Sequence, residues 1–528
     1  MIKKLIYLIA ILFLIVPNAL AFMGPTVAGG GMPPAVAGEP EPESSGSVFY
    51  SVSPFGTGTI ETGDGTITIT DGVAVLSVPQ TGNIGAGVCI EYNSIECWIA
   101  PNRIGFISGG TAELLPNTKI EDATSGAIGI VRAIELMGGT WAGGDAAGWI
   151  YFESTTGTFG NGNNINRVKP TTSSNIATIK GTIKGNLGNG NTEFVVKTAT
   201  GTTAADQSET AVTSIHHEFA SLTLFETGFI DGDHIDDTDL TNASVIAFAT
   251  CYYAHDDYVS DGLVVVDGFT DGANNYLHIY TPTGGAESIN NQRHSGAWDA
   301  NKYKLDLTAS GYYYAVRIKE IYTRVEGLQI ALSGETTYDA FGFLVETGNG
   351  NVIIEKNIIS ASLSAGGSQS AAYCNYSTKI YNNIIYGFED HGIRIYGYND
   401  GAVYSYYNTI FGCGAGILQE HTNTCTSINS AIFNNTDDIS GTVTLTYSAG
   451  DDADFDSGTG NVPWDDSATD WDANFTEYDG TPPDLTIIGT GADIYQTGTS
   501  LAASDIWRDI RGVERHATTP CIGAFEYE

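Results

Sequence analysis

Positive charge is what this sequence has least of. Its 528 residues include 22 Lys and Arg against 61 Asp and Glu, a formal net charge of −39. Nucleic-acid binding rests on neutralising phosphates with cationic side chains, and attraction to anionic membrane surfaces has the same need. The balance argues against both partners. It does not exclude an acidic polysaccharide: at physiological salt the Debye length is about 8 Å, so a local basic or calcium-loaded groove acts independently of the total. Acidic loops also keep a long β-protein soluble and discourage edge-to-edge pairing. Methionine is rare at four residues while Gly reaches 65, and few segments carry a helical pattern, so the chain reads as all-β.

Long apolar runs are missing as well. Lys3 and Lys4 precede an apolar run over residues 5–16, followed by Pro17 and the small-x-small triplet Ala19, Leu20, Ala21, which is the pattern of a secretory leader. That run is shorter than the ~20 helical residues a bilayer requires, and no later stretch is long and apolar enough. The expectation is a leader over residues 1–21, a secreted or cell-surface protein, and no transmembrane segment once the leader is gone. No Cys follows the cleavage site, which argues against a lipid anchor there. Seven cysteines are an odd number and define no complete disulfide framework. Cys89 and Cys97 flank a short hairpin and are placed to cross-link it after export. Cys374, Cys413 and Cys425 read instead as buried small hydrophobes.

What the sequence does have is a repeat. Ile359, Ile385, Ile410 and Ile432 recur at spacings of 26, 25 and 22 residues. Two positions before each stands an amide or hydroxyl: Asn357, Asn383, Asn408, Ser430. A second register runs through the four-residue blocks that begin at Gly342, Ala372, Gly392 and Gly416. A period in the twenties, made of β-branched runs broken by Gly and Asn, is what a stacked β-solenoid requires, one turn per repeat. Like side chains then stack at about 4.8 Å. The isoleucines fill the interior, and the asparagines form an amide ladder at a bend that tolerates left-handed backbone.

Residues 22–46, with their Gly, Pro and Glu runs, read as a flexible acidic linker. Residues 47–190 alternate in short runs such as Thr66–Ile69, Val73–Leu76, Ile128–Val131 and Trp149–Phe152, and predict small β-modules. Residues 124–159 are similar to small β-modules of surface and phage-particle proteins. Phe219, Leu222 and Phe225 share one side of a helix predicted over 217–229, suited to covering the open end of a solenoid. The solenoid is expected over 215–445, and a C-terminal capping segment over 446–528.

The region from about residue 215 to the end resembles a group of secreted, pectate-lyase-like right-handed parallel β-helix proteins of bacterial and environmental origin. The resemblance is carried by Tyr280-Thr281-Pro282, by residues 291–296 (Asn-Gln-Arg-His-Ser-Gly), by 325–330 (Val-Glu-Gly-Leu-Gln-Ile), and by the chain end, an Asp-x-x-Gly-x-x-Arg stretch at 509–515 leading to Ile-Gly-Ala-Phe-Glu-Tyr at 522–527. It implies an all-β fold, a right-handed parallel β-helix (solenoid) preceded by small β-modules. It implies no reaction, because this fold carries lyases, hydrolases, adhesins and viral spikes.

No complete catalytic constellation is found. Asp390-His391-Gly392 and Arg317-Ile318-Lys319 resemble polygalacturonase-like motifs, but in reversed order and without the paired Asp such hydrolases need. A lyase needs a base, and Lys356, Lys379 and Arg394 are nearly all the coils supply. Arg394, Tyr396, Tyr398, Tyr381 and Tyr406 are the candidate ligand surface, since Tyr rings on a flat sheet offer apolar faces to sugars and a hydroxyl to their hydrogen bonds. Two acidic clusters are candidate calcium sites: Asp231, Asp233 and Asp236, with Asp237 and Asp239 beside them, and Asp452, Asp454 and Asp456. His216-His217 and Asp256-Asp257 lack transition-metal spacing. Arg293-His294 is either a site or a buried structural pair. The expected role is surface attachment or binding to an extracellular polysaccharide or cell-surface glycan. A polysaccharide lyase or glycoside hydrolase, and a structural surface or virion component, are the alternatives.

Overall fold

The computed structural model describes residues 46–527 except 55–58, 62–64, 111, 236, 254–259, 310, 336, 347–350, 365, 398–400, 466 and 502–505. Residues 1–21, expected as a leader, and all but the last residue of the expected linker lie outside the described residues, as do Asp236, Asp256, Asp257 and Tyr398.

Three parallel sheets wind into a β-solenoid of about seven turns. Each turn lays one strand on wall 1, one on wall 2 and one on wall 3. Arg324–Glu326, Gln329–Glu335 and Ala340–Val345 make one such turn, and Val352–Glu355 begins the next. The isoleucines pair rung to rung on wall 2 in one register, Ile330 with Ile359, Ile385, Ile410 and Ile432, and none is exposed to solvent. Facing them across the lumen on wall 3 is a column of small residues, Gly342, Ala371, Gly392 and Gly416. A Cβ on Gly342 would stand 2.8 Å from Ile359 Cγ2, and one on Gly392 would stand 2.6 Å from both Ile410 Cγ2 and the Gly416 carbonyl. The branched column and the bare column are two halves of one packing solution.

Wall 3 corrects one detail of the second repeat. Phe343, not Gly342, pairs with Ala372, so that block is registered one residue later than the sequence pattern suggests. Because side chains alternate faces, a one-residue slip exchanges inside for outside, and Tyr373 points outward with Leu344 and Arg394 as neighbours.

The amide ladder runs along the corner between walls 1 and 2. Asn383 Oδ1 accepts from Asn357 N (2.9 Å) and Asn357 Nδ2 (3.1 Å), and Asn408 Oδ1 serves Asn383 in the same way. Ser430 and Ser448 continue it with hydroxyls. The residue before each rung of the ladder, namely Lys356, Asn382, Tyr407, Asn429 and Tyr447, has φ between 51° and 58°. Each ladder amide therefore satisfies backbone that a left-handed corner would leave without partners.

The antiparallel modules are nested insertions. Gly46–Val52, which the sequence pattern places among the modules, is the first strand of wall 1 and pairs in parallel with Val245–Cys251. Between them stands a seven-stranded antiparallel sheet whose strand Gln207–His216 also pairs with Cys89–Tyr92 to close it. Between two of its strands, Ile95–Ala100 and Glu193–Lys197, is inserted a six-stranded closed barrel. The helix is shorter than the pattern predicts, Leu222–Gly228, and is capped by Ser221, whose hydroxyl accepts from Leu224 N. Phe219, Leu222, Phe225 and Phe229 join the core of the first turn beside Val48, Tyr50 and Val264.

The C-terminal segment lies along the outside of wall 2. Trp464, Trp471, Phe475, Ile510, Ile522 and Phe525 cover the outward Ile358, Ile384, Phe411 and Phe433. It docks onto the left-handed corner residues: Arg515 stacks 3.8 Å over the Tyr407 ring and donates to Asn382 Oδ1. Where the inner barrel meets wall 1, a buried ion network closes the joint. Arg132 binds Glu287 (2.5 Å) and Glu326 (2.7 Å), Arg508 from the tail binds Glu153 (2.6 Å), and Arg293 and Lys356 also reach Glu326. Arg293-His294 is thus a buried structural pair, His294 Nε2 bonding the Lys356 carbonyl. The cations hold Glu326 well below the ordinary carboxylate range against the opposing effect of burial.

The seven cysteines are buried free thiols. The expected Cys89–Cys97 link does not form, because Cys89 pairs with Trp98 while Cys97 pairs with Ile90, which puts the two sulfurs on opposite faces of the hairpin.

A methyl group at Gly392, where a Cβ meets both Ile410 and the Gly416 carbonyl, tests the packing solution. Gly392→Ala overpacks a filled lumen and destabilises the protein by about 1–3 kcal/mol, read as a lower urea midpoint. An unchanged midpoint would show that the column has room.

Candidate functional site

The outward face of wall 3 carries three parallel rows of side chains, one residue per rung. One row contains Tyr314 and Phe341, the next Arg317, Leu344, Tyr373, Arg394 and Leu418. The third lies just past the strand ends with Glu346, Asn375, Tyr396 and Glu420, each donating its backbone N–H to the previous rung. Tyr312 extends the face and is 52% exposed.

The rings form a continuous strip. Tyr312 lies 5.8 Å from Phe341, Phe341 4.8 Å from Tyr373, Tyr373 5.7 Å from Tyr396, and Tyr396 4.7 Å from His421, centroid to centroid. The Arg394 guanidinium stands 5.0 Å over Tyr373 and 5.1 Å over Tyr396. Its Nε meets Glu420 Oε2 at 2.7 Å and its Nη1 meets Ser368 Oγ at 2.5 Å. Three rungs away Arg317 repeats the motif, 5.4 Å over Tyr314 and bound to Glu346. Such pairing fixes the guanidinium planes, and cation–π contact with a ring is worth about 0.5–1 kcal/mol at exposed sites.

The sequence-predicted surface divides between two walls. Arg394 and Tyr396 belong to this strip. Tyr381 and Tyr406 are neighbours of each other on wall 1, a different face. Tyr373, Phe341, Tyr312 and His421 were not legible as part of it. The signal that would have found them is the correct register of residues 369–374, which puts Tyr373 directly beside Arg394.

The polygalacturonase-like elements do share wall 3, with Arg317 and Arg394 in one row. Asp390 accepts from Gln369 N (2.8 Å), and His391 Nδ1 lies 3.4 Å from Ser370 Oγ, its pKa lowered by burial and by Arg394. Glu346 and Glu420 sit three rungs apart, about 14 Å between backbones at 4.8 Å per rung. That is wider than the ~5–9.5 Å carboxyl separation of glycoside hydrolysis. One acid stands out nearby: Glu320, at the corner past Lys319, is pushed up to about 7, first by burial and further by Asp271 and Asp267.

The two acidic clusters also part company. Asp231 is engaged by His234 Nδ1 (2.8 Å), and Asp239 caps the helix Leu240–Ala243 by accepting from Thr241 N and Asn242 N. Asp233 stands on an exposed turn, so this cluster builds turns. Asp452 and Asp454 do converge, but with Asp437 rather than Asp456, one oxygen of each lying within 4.8 Å of the others. Hard oxygen donors at that spacing are what calcium takes, with waters completing the shell. Next to them Asp438 is fully buried and pushed up to about 9, by desolvation and then by Asp451.

No protein-family model matches the chain, and no match is found among curated proteins or solved structures.

Asp438 gives this corner a pH signature. Its carboxyl is raised from an unfolded value near 3.9, so the folded state holds the proton more tightly. The group's contribution therefore falls as pH rises from about 4 towards 9. Asp438→Asn removes the titration. Its stability relative to wild type should improve by more than about 1 kcal/mol between about pH 5 and about pH 8 in urea melts. A pH-independent difference would show Asp438 ionised in the fold.

Proposed function

We propose that the protein is exported and binds an extracellular polysaccharide along the outer face of wall 3. The observation that carries this reading is the ring strip from Tyr312 to His421 with Arg394 held over two of its rings. The half-buried rings of Tyr373 and Tyr396 on a rigid sheet lose little freedom on binding and present apolar faces with hydroxyls at their edge, while Phe341 is buried between its neighbours. Arg317 and Arg394, each already oriented by a carboxylate, supply donors for sugar hydroxyls or for an acidic sugar's carboxylate. Export rests on the leader pattern at residues 1–21.

A glycan array run in calcium buffer tests the reading. Tyr373→Ala and Tyr396→Ala each weaken binding about tenfold, equivalent to about 1.4 kcal/mol, while Tyr381→Ala on wall 1 leaves it unchanged. Folded protein that binds no glycan overturns the proposal, and loss only with Tyr381→Ala moves the site to wall 1.

A second reading, cleavage of the polysaccharide, is favoured by Glu320, whose pKa of about 7 suits a general acid. Release of reducing ends abolished by Glu320→Gln would establish it. New absorbance from an unsaturated uronate, lost with Arg394→Ala, would instead identify a lyase. Assembly into oligomers with no ligand bound by either route would favour a structural surface or virion component.

A further inference from the structure

We propose that Cys89, His216 and Glu218 form a zinc-binding site at the joint between the seven-stranded sheet and the first turn of the solenoid. The three donor atoms, a thiol sulfur, a ring nitrogen and a carboxylate oxygen, lie within 4.8 Å of one another. Topology, not sequence spacing, brings them together. Cys89 on Cys89–Tyr92 and His216 on Gln207–His216 are directly paired across two antiparallel strands. Glu218 follows two residues on, its backbone N–H held by Ser51 Oγ of the first wall 1 strand. Ile90 and Ile215 point from the same strands into the core of the sheet, which leaves Cys89 and His216 on the opposite face, towards the solenoid.

The donor set is that of zinc. Thiolate sulfur, imidazole nitrogen and carboxylate oxygen are its three common protein ligands, and three of them leave a fourth tetrahedral position for water. The surroundings match a ligand set that is held in place. Glu218 Oε2 accepts from the Trp98 indole and Oε1 lies against His234 Nε2, both at 2.8 Å, and His234 is in turn oriented by Asp231. A carboxylate has lone pairs for both contacts and a metal, and such outer hydrogen bonds orient metal ligands. Ser214 Oγ contacts His216 Nδ1 at 3.2 Å, leaving Nε2 for coordination.

The local charge asks for a cation. Glu91 lies directly opposite Glu96 on the neighbouring strand, an unfavourable like-charge pair. Among the described residues no Lys or Arg pairs with Glu91, Glu96 or Glu218. Burial raises the Cys89 thiol well above its ordinary value, and Glu218, Glu96 and Glu91 raise it further. A dication at this point would relieve that field and deprotonate the thiol outright. Cys97, on the far face of the hairpin among Ile67 and Ile99, has no part in the site.

Cobalt substitution of the full chain tests the site directly. Wild-type protein and Cys97→Ser should each take up one equivalent of Co2+ with near-ultraviolet sulfur-to-cobalt charge-transfer absorption, and Cys89→Ser should lose that absorption. His216→Ala should weaken Zn2+ binding by at least the roughly 10- to 100-fold that loss of an outer-shell partner costs. Zinc should raise the melting temperature of wild type and not of Cys89→Ser. Folded wild-type protein that shows no sulfur-to-cobalt band overturns the proposal whether or not any variant folds. So does a band that survives Cys89→Ser.

Discussion

Everything in the coil depends on like residues stacking at the rung spacing while a branched column meets a bare one across the lumen. Ile359, Ile385, Ile410 and Ile432 fill the space that Gly342, Gly392 and Gly416 leave empty. Interiors are packed to crystal density, so neither column tolerates the other's residues. The amide ladder is the polar counterpart at the corner, where Asn357, Asn383 and Asn408 supply the bonds that the left-handed turn withdraws from the backbone.

That regular stack is closed off by less regular parts, and each closure reuses a feature of the repeat. The first strand of wall 1, Gly46–Val52, is separated from its partner by both antiparallel modules, so its edge is covered by the chain that interrupts it. The tail docks on the left-handed corners through Asn382, Tyr407 and Asn429, turning strained turn residues into a binding strip for the chain's own end. Glu326 gathers Arg132, Arg293, Lys356 and His278 around one buried carboxylate and joins barrel, wall and loop. Buried ions are costly singly, and removing one partner from such a cluster leaves another unpaired.

The same outward row that the core does not need is where a ligand surface can be written. Arg394 and Tyr373 alternate with inward Ile393 and Cys374, so the surface inherits the straightness and spacing of the core. Charge works differently at the joint of the seven-stranded sheet and at the end of the coil. There carboxylates crowd with no Lys or Arg partner among the described residues, around Glu218, whose ionic partner is His234, and around Asp438, whose carboxyl holds its proton more tightly.

The periodicity of residues 325–445 determined the solenoid on its own, because a repeat of branched residues, Gly and Asn at a fixed interval admits few other ways to bury its faces. The strands Thr66–Thr70 and Val73–Leu76 were equally plain, since alternation is a local property. Of the candidate surface, Arg394 and Tyr396 were legible for the same reason. Tyr373 was hidden by a one-residue register ambiguity that only strand pairing resolves. Tertiary structure alone decided which distant residues meet: Cys89 with His216, Asp437 with Asp452, Arg132 with Glu326. Nested insertion and sheet closure set the first and last of those encounters and an irregular loop after the last coils sets the second, and none leaves a period in the sequence from which the contact could be read.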